Sequence, residues 1–330
     1  MYTPPVARRP QCGMLLCRTL ILSTILGLAP VQAAPGPSGA EEIALWPGTA
    51  PGSEAATAKQ EVIERSKDPA VKDRAVFGVV RPTLEVWKPK TPNGTAVIVL
   101  PGGAYQRVVV DKEGIEMGER LTGDGITVFV LTYRLPGGGH AQASDVALQD
   151  AQRAVRLLRK NAAAWGLKSD RIGVLGFSAG GHVAASLGTR FDRAVYKSVD
   201  DADALSARPD FLALIYPVIS MESGVTHAES RKELIGAEPR EATVGEYSLE
   251  RAVRPDVPPT FLLHADDDAQ VPTENSIRFY RALKANKVPA ELHIFRKGEH
   301  GFGLRFTKGL PVAVWPDLYV SWVRNLGMMP

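Results

Sequence analysis

The sequence predicts an α/β fold in which a mostly parallel, doubly wound sheet is flanked by helices. Short apolar runs recur along the chain, segments with helical spacing separate them, and no boundary divides residues 75–330. Strands that are apolar on both faces are typical of a parallel sheet covered by helices, and the alternation favours right-handed crossovers. We predict strands at residues 95–100, 126–133, 171–177, 211–216, 260–264 and 291–296.

Helical patterns occupy the intervals between these runs. Ser144 is a suitable N-cap for a helix with one apolar face, and a short helix is predicted at about residues 181–187. The first of these faces is formed by Leu148, Ala151, Val155 and Leu158. A similar face near the end is formed by Trp315, Leu318, Tyr319, Trp322, Val323 and Leu326. Residues 220–256 are polar and break the alternation, so we expect an insertion or lid there.

The first 33 residues have the pattern of a cleaved signal peptide rather than of a core helix or membrane anchor. Arg18 precedes an apolar run at residues 19–29, and residues 31–33 are suited to cleavage. That run is shorter than the about 20 residues of a membrane span. We therefore expect an exported protein, periplasmic or secreted, without a membrane anchor; its true start could be Met1 or Met14. Both cysteines, Cys12 and Cys17, lie in this segment.

Composition excludes several classes of protein for the rest of the chain. The sequence has 39 Lys+Arg and 36 Asp+Glu, and the surplus lies in Arg8, Arg9 and Arg18. A balanced body lacks the basic surface of a nucleic-acid binder, so no nucleic-acid partner is expected. With 45% hydrophobic residues the chain is also too apolar for a disordered protein. Residues 34–74, which begin with a stretch rich in Ala, Pro and Gly, are predicted to form an N-terminal arm on the surface rather than a packed element.

A candidate nucleophile stands between a predicted strand and a predicted helix. Gly176-Phe177-Ser178-Ala179-Gly180 is a G-x-S-x-G sequence at that junction. Such a serine occupies a strained turn that lifts its hydroxyl above the sheet edge, and the flanking glycines avoid clashes with neighbouring backbone. The short pattern also arises by chance as a turn without catalytic meaning. The predicted strand before it and helix after it favour the catalytic interpretation. Ser178 is therefore predicted to be the nucleophile.

A serine nucleophile needs a general base. His300 lies in the glycine-rich loop at residues 298–303, after the predicted strand at 291–296. Loops at the carboxyl ends of parallel strands are where such sheets bind ligands. We predict that His300 is the base, while His264 and His293, which lie within predicted strands, are expected to be structural.

A serine nucleophile and a histidine base are usually completed by an acid to form a catalytic triad. In α/β-hydrolases this acid is expected between the serine and the histidine in chain order. Asp266, Asp267 and Asp268 follow the predicted strand at 260–264, and their position leaves all three open. A run of acids is often only a solvated turn. A metal site built on them would need further ligands, of which His264 is the nearest candidate, so no metal is expected.

Backbone N–H groups are needed to stabilise the oxyanion. Pro101-Gly102-Gly103-Ala104-Tyr105 follows the predicted strand at 95–100, and its small residues would let a substrate oxygen approach the backbone. We predict Gly103, Ala104 and Ala179 as the donors. The alternative is a Pro-Gly turn without this role.

Taken together, these motifs resemble those of secreted bacterial α/β-hydrolases of the carbohydrate-esterase kind, which include acetyl xylan esterases and feruloyl-esterase-like proteins. The segments that carry the resemblance are Leu45-Trp46-Pro47 with Ala50-Pro51-Gly52, residues 101–105, residues 176–182 and Glu299-His300-Gly301-Phe302-Gly303. The resemblance implies the α/β-hydrolase fold and a serine esterase that hydrolyses short-chain esters. The implied substrates are acetyl esters of plant polysaccharides or oligosaccharides, such as acetylated xylan, cleaved through an acyl-enzyme without a cofactor.

The same resemblance selects the acid. In such proteins it lies in a segment like His-(Gly/Ala)-x-x-Asp-x-x-Val-Pro, which residues 264–272 match with Asp268 in the acid position. Ala104 stands where relatives often have a third glycine. Tyr105 and Phe302 are predicted to bind substrate by stacking on sugar rings, although packing is an equal alternative.

Two other functions stay open on the sequence. One is a serine peptidase of the prolyl-oligopeptidase type, although about 75 residues before the catalytic region leave no room for the large β domain of those enzymes. The other is a non-catalytic binding protein on a hydrolase scaffold, against which the complete serine, acid and histidine set argues. The expected partner in the favoured reading is a small-molecule or oligosaccharide ester.

Overall fold

An eight-stranded sheet is the centre of this computed structural model, which describes residues 1–5, 7 and 40–330. In chain order the strands are β1 (Glu41–Ala44), β2 (Glu61–Glu64), β3 (Arg74–Phe77), β4 (Thr83–Trp87), β5 (Ala96–Leu100), β6 (Arg107–Val109), β7 (Thr127–Thr132), β8 (Ile172–Phe177), β9 (Phe211–Ile215), β10 (Thr260–Ala265) and β11 (Ala290–Phe295). The main sheet has the order β1-β4-β7-β5-β8-β9-β10-β11.

From β7 to β11 the neighbours in this sheet are all parallel, while β1 and β4 add an antiparallel edge. The six predicted strands are the six parallel ones, and no end differs by more than one residue. The mostly parallel sheet flanked by helices is therefore confirmed.

Helices cover both faces of the sheet. They are α1 (Glu116–Thr122), α2 (Val146–Asn161), α3 (Ser178–Arg190), α4 (Ala228–Ile235), α5 (Glu241–Tyr247), α6 (Glu274–Ala285) and α7 (Trp315–Asn325). Alternate side chains of β5 point to opposite faces, as the pleat of a strand requires. Ile98 belongs to the same apolar cluster as Leu148 of α2, while Val99 belongs to the cluster that contains Trp322 of α7.

The predicted apolar face of α2 is buried, but the predicted cap is not used. Ser144 Oγ donates a hydrogen bond to the carbonyl oxygen of Leu234 at 2.6 Å. Asp145 occupies the N-cap position, and its side chain makes no capping hydrogen bond. The serine instead connects the start of α2 to α4, a long-range contact that a local pattern does not reveal.

The expectation of an unpacked N-terminal arm is wrong for its described part. Strand β1 pairs with β4 at the sheet edge, and Trp46 is buried with 5% of its surface exposed. Its indole N–H donates to Asp150 Oδ1 at 2.8 Å, which satisfies the polar end of a buried ring. Strands β2, β3 and β6 form a second, three-stranded sheet. The predicted signal peptide and its cysteines lie outside the described residues, except for residues 1–5 and 7.

Residues 220–256 form the predicted insertion between β9 and β10 and contain α4 and α5. A role of this insertion as a lid stays a prediction. Among the described residues, no helix combines the length and the apolar character needed to cross a bilayer.

Candidate active site

The turn between β8 and α3 carries Ser178 in a strained conformation. Its φ is +52°, in the left-handed region that non-glycine residues rarely adopt. The flanking glycines are required by space, because a Cβ on Gly176 would lie 2.4 Å from the Gly180 carbonyl oxygen. A Cβ on Gly180 would lie 2.1 Å from the Leu100 carbonyl oxygen. Strain of this kind concentrates at functional sites, and here it presents the serine hydroxyl at the sheet edge.

His300 reaches Ser178 from the loop after β11. Its Nε2 lies 2.9 Å from Ser178 Oγ, and its Nδ1 lies 2.7 Å from Asp268 Oδ2. Because a carboxylate only accepts, Nδ1 carries the proton and donates to Asp268. In the neutral ring Nε2 is then free to accept the proton of the serine hydroxyl. The structure thus brings together three of the residues predicted from sequence, in the order that nucleophilic catalysis requires.

The carboxylate of Asp268 is enclosed by donors. Its Oδ1 accepts from the backbone N–H of Gln270 at 2.9 Å and of Val271 at 2.8 Å. Burial by itself would raise the pKa of this carboxyl, but hydrogen bonds with His264 and His300 outweigh burial and hold it well below its usual range. Asp268 is therefore ionised across the neutral pH range and can stabilise a protonated His300.

The neighbouring acids have other surroundings. Asp266 is exposed. Asp267 Oδ1 accepts from the N–H groups of Gly298 and Glu299, both at 2.9 Å, and so holds the loop that carries His300. Within the part of the chain that the structure describes, no three His, Cys, Asp or Glu side chains converge in a way that could hold a metal ion.

His264 lies behind the turn that carries Asp268. It lies at the end of β10 with no exposed side-chain surface, and its Nε2 is 2.9 Å from the Val271 carbonyl oxygen and 3.3 Å from Asp268 Oδ2. Its Nδ1 lies 2.8 Å from Ser276 Oγ. The ring therefore supports the turn of Asp268 from behind, which agrees with the expectation that it is structural.

The predicted oxyanion loop lies beside the serine. Gly103, Ala104, Ser178 and His300 line one cavity of about 220 Å³. Among the described residues, neither the Gly103 nor the Ala104 N–H donates to a protein acceptor. Ala104 has a φ of +57°, so the backbone turns sharply there. Ala179 lies in the first turn of α3, where N–H groups have no acceptor within the helix. These three donors remain predictions of role, supported by placement.

The predicted substrate-binding aromatics are in the wrong place for stacking. Tyr105 is 2% exposed, and its hydroxyl lies 2.7 Å from Nδ1 of the buried His182. Phe302 is 1% exposed and packs edge-to-face on Tyr216, with ring centroids 4.6 Å apart. A ring with no exposed face cannot stack on a sugar, so the packing alternative holds for both.

Sequence reasoning missed Glu113 and Tyr216. The buried Glu113 accepts the Gly102 N–H at 2.7 Å on Oε2 and the Tyr216 hydroxyl at 3.0 Å on Oε1. The Tyr216 hydroxyl accepts the Gly303 N–H at 3.1 Å, and the Tyr216 ring lies 5.1 Å from the His300 ring. The only local signal for Glu113 in the sequence was its place three residues after the three valines at 108–110, which is weak.

The sheet order and the serine at a strand–helix turn define an α/β-hydrolase. More narrowly, residues 84–283 match the BD-FAE family, and the chain belongs to that family. The resemblance to carbohydrate esterases with this fold is confirmed.

Two curated relatives and two solved structures extend this result. The chain is 34% identical over 219 residues to an acetylxylan esterase of Xylanibacter ruminicola. This match covers 65% of this chain and 42% of the relative. It is 36% identical over 205 residues to endo-1,4-beta-xylanase B of Butyrivibrio fibrisolvens, covering 62% of this chain and 32% of the relative. The matched regions thus span less than half the length of both relatives.

The acetyl ester-xyloside bifunctional hydrolase from Caldicellulosiruptor lactoaceticus is similar over a larger share of the chain. Its structure has a TM-score of 0.72 and 35% identity, and the match covers 92% of this chain and 100% of that one. The carboxylesterase Cest-2923 from Lactobacillus plantarum WCFS1 has a TM-score of 0.63 at 23% identity and covers 83% and 99%, which supports the fold alone.

Proposed function

We propose that this protein is a serine carboxylic ester hydrolase that removes short acyl groups, above all acetyl, from xylan-related saccharides. The observation that carries the proposal is the hydrogen-bonded series from Ser178 through His300 to Asp268. Membership of the BD-FAE family and the names of the xylan-related relatives support the substrate class.

The proposed reaction begins at the serine. His300 Nε2 takes the hydroxyl proton as Ser178 Oγ attacks the ester carbonyl, and Asp268 stabilises the imidazolium that forms. The N–H groups of Gly103, Ala104 and Ala179 then hold the oxyanion. His300 returns the proton to the leaving alcohol, which leaves an acyl group on Ser178. Water, activated by His300, hydrolyses that acyl-enzyme and restores the serine.

The cavity beside Ser178 supports a short acyl group. It has a volume of about 220 Å³, and Ala104 is one of the residues that line it. An acetyl group fits such a space more readily than a long chain. Charged and polar residues such as Arg107, Lys112 and Gln270 also line this cavity, which suits a hydrated saccharide better than a lipid.

The test of this function is acetate release by the purified protein. Acetylated xylo-oligosaccharides are the substrate, and chemically deacetylated ones are the control for acetate carried over. We expect acetate from the first and none from the second. Cleavage of a peptide p-nitroanilide without ester hydrolysis would instead identify a peptidase. Absence of both activities would indicate a binding protein.

Export to the periplasm or the medium is part of the proposal. Residues 1–33 support it, because they contain in this order a positively charged region, an apolar run and small residues suited to cleavage. Mass spectrometry of the protein recovered from its host should find a mature N-terminus after Ala33. A retained first segment would contradict export by cleavage.

A further inference from the structure

Three cationic residues line the cavity next to the serine. Arg65, Arg107 and Lys112 line it together with Ser178 and His300. The lining also contains two carboxylates, of Glu113 and Glu229. Glu113 accepts hydrogen bonds from the Gly102 N–H and the Tyr216 hydroxyl, and its Oε1 lies 4.0 Å from Lys112 Nζ, so its charge offsets part of that of Lys112.

Arg107 lacks a carboxylate partner and an acceptor for its Nε–H among the described residues. Among the described residues it has no carboxylate within ion-pair distance, and its one side-chain hydrogen bond goes to Gln106 Oε1 at 3.2 Å. Its Nε is buried and has no acceptor. Burial, and then the charge of Arg65, lower the pKa of this guanidinium. By contrast, Arg65 is paired with Asp73 at 2.7 Å. A half-buried guanidinium without a carboxylate partner costs free energy unless a ligand supplies one.

We infer that Arg107, with Lys112, forms a subsite for a carboxylate on the alcohol portion of the ester. This inference rests on the proposed function. An acyl group as small as acetyl has no room for a second substituent, so the anion belongs to the alcohol. A guanidinium binds a carboxylate through two parallel hydrogen bonds, which fixes its orientation as well as its charge. The substrate class is then an acetylated saccharide that carries a sugar acid.

A matched pair of aryl acetates isolates the charge. 3-Acetoxybenzoate carries a carboxylate where 3-acetoxybenzamide carries a neutral amide of similar shape. The ratio of the kcat/KM value of the benzoate to that of the benzamide measures recognition of the anion. The wild type should prefer the anionic ester, and Arg107→Gln should lower the ratio about tenfold, as expected for a charge-assisted hydrogen bond. Arg107→Lys keeps the charge and should retain part of the preference.

Two further variants make the test decisive. Arg81→Gln removes the same charge from an exposed residue that lines a different cavity, and should leave the ratio unchanged. Lys112→Gln should lower the ratio even if Arg107→Gln does not fold. A wild-type ratio at or below one, or a ratio unaffected by both pocket variants, overturns the subsite. A wild type that hydrolyses neither ester overturns the proposed function itself, and the subsite with it.

A second inference comes from the buried hydrogen bonds of Glu113, and it too rests on the proposed function. Its carboxylate connects the oxyanion loop, through Gly102, to the loop of His300, through Tyr216 and Gly303. The oxyanion loop is also held at its Pro101 carbonyl oxygen, which accepts a hydrogen bond from the Tyr133 hydroxyl at 2.6 Å. We infer that Glu113 is a positioning residue, which keeps the oxyanion donors in register with the base.

Two conservative variants separate reach from charge. Glu113→Gln keeps the length and one acceptor oxygen for the Gly102 N–H, whereas Glu113→Asp keeps the charge but withdraws the oxygens by about 1.5 Å, beyond hydrogen-bond distance. If positioning matters, Glu113→Asp should lower kcat about 10²-fold with little change in KM, and Glu113→Gln should lower kcat less. The reverse order, or two folded variants with wild-type kcat, overturns this role. Tyr216→Phe should lower kcat in the same direction.

Discussion

Asp268 Oδ2 accepts a hydrogen bond from His300 Nδ1 at 2.7 Å, although the two residues follow different strands. The ends of β10 and β11 are neighbours in the sheet, which brings the two turns together. The same oxygen lies 3.3 Å from His264 Nε2, so one carboxylate faces two imidazoles.

This arrangement predicts an order of effects for the three adjacent acids. Asp268→Asn should lower kcat on p-nitrophenyl acetate by about 10⁴, because an amide no longer fixes the reactive tautomer of His300. Asp267→Asn should cost less, since it weakens only the support of the His300 loop. Asp266→Asn, at an exposed position, is the control and should have wild-type kinetics. Equal and modest losses in all three would show that the acid lies elsewhere.

Acyl size should be limited by Ala104. Because Ala104 lines the cavity together with Ser178, p-nitrophenyl acetate should have a higher kcat/KM than the butyrate. Rejection of extra methylenes in a pocket discriminates about 10–200-fold. Ala104→Gly keeps the N–H donor and suits the positive φ, so it should relax the preference without abolishing activity. A wild type that prefers octanoate would contradict this prediction.

His182 should make the fold sensitive to acid. Its Nε2 donates to the Tyr247 carbonyl oxygen and its Nδ1 accepts from Tyr105, so it is buried in the neutral form. Burial is the main cause that lowers its pKa from 6.5 to about 3. The unfolded chain binds this proton first, so the contribution to stability is complete above about pH 6.5 and is lost as the pH falls toward 3.

The loss can be measured by urea unfolding at several pH values. Between pH 7 and pH 4 this one histidine should lower the free energy of unfolding by about 3 kcal/mol. His182→Gln lacks the titrating group, so its free energy of unfolding should change less over that range, whatever its value at pH 7. Parallel pH curves for the two proteins would contradict the prediction.

Five of the parallel strands, β5 and β7 to β10, were predictable because each is buried on both faces and reads as an apolar run. The sixth, β11, is partly exposed and less apolar. Strand β1 was not predictable, since its Glu41 and Glu42 belong to an edge with one open side. Ser178 and His300 were found because their motifs carry the local constraint themselves. The acid needed a family pattern to separate Asp268 from two neighbours of the same type.

Other parts of the site depend on contacts between distant segments. Glu113 and Tyr216 meet across 103 residues, and no local pattern encodes that hydrogen bond. Tyr105 and Phe302 flank motif residues, but an aromatic beside a motif gives no sign of whether it faces the cavity or the core. Here both face the core, because their hydroxyl or ring edge finds a buried partner.

The most direct test of the account is covalent labelling by an organophosphonate, read by peptide mass spectrometry. The wild type should be labelled once, at Ser178, with loss of ester hydrolysis in proportion to labelling. Ser178→Ala should fold, resist the reagent and lose about 10⁴–10⁶ in rate. A label on a different serine, or a Ser178→Ala variant that still hydrolyses esters at the wild-type rate, would contradict the assignment of Ser178 as the nucleophile.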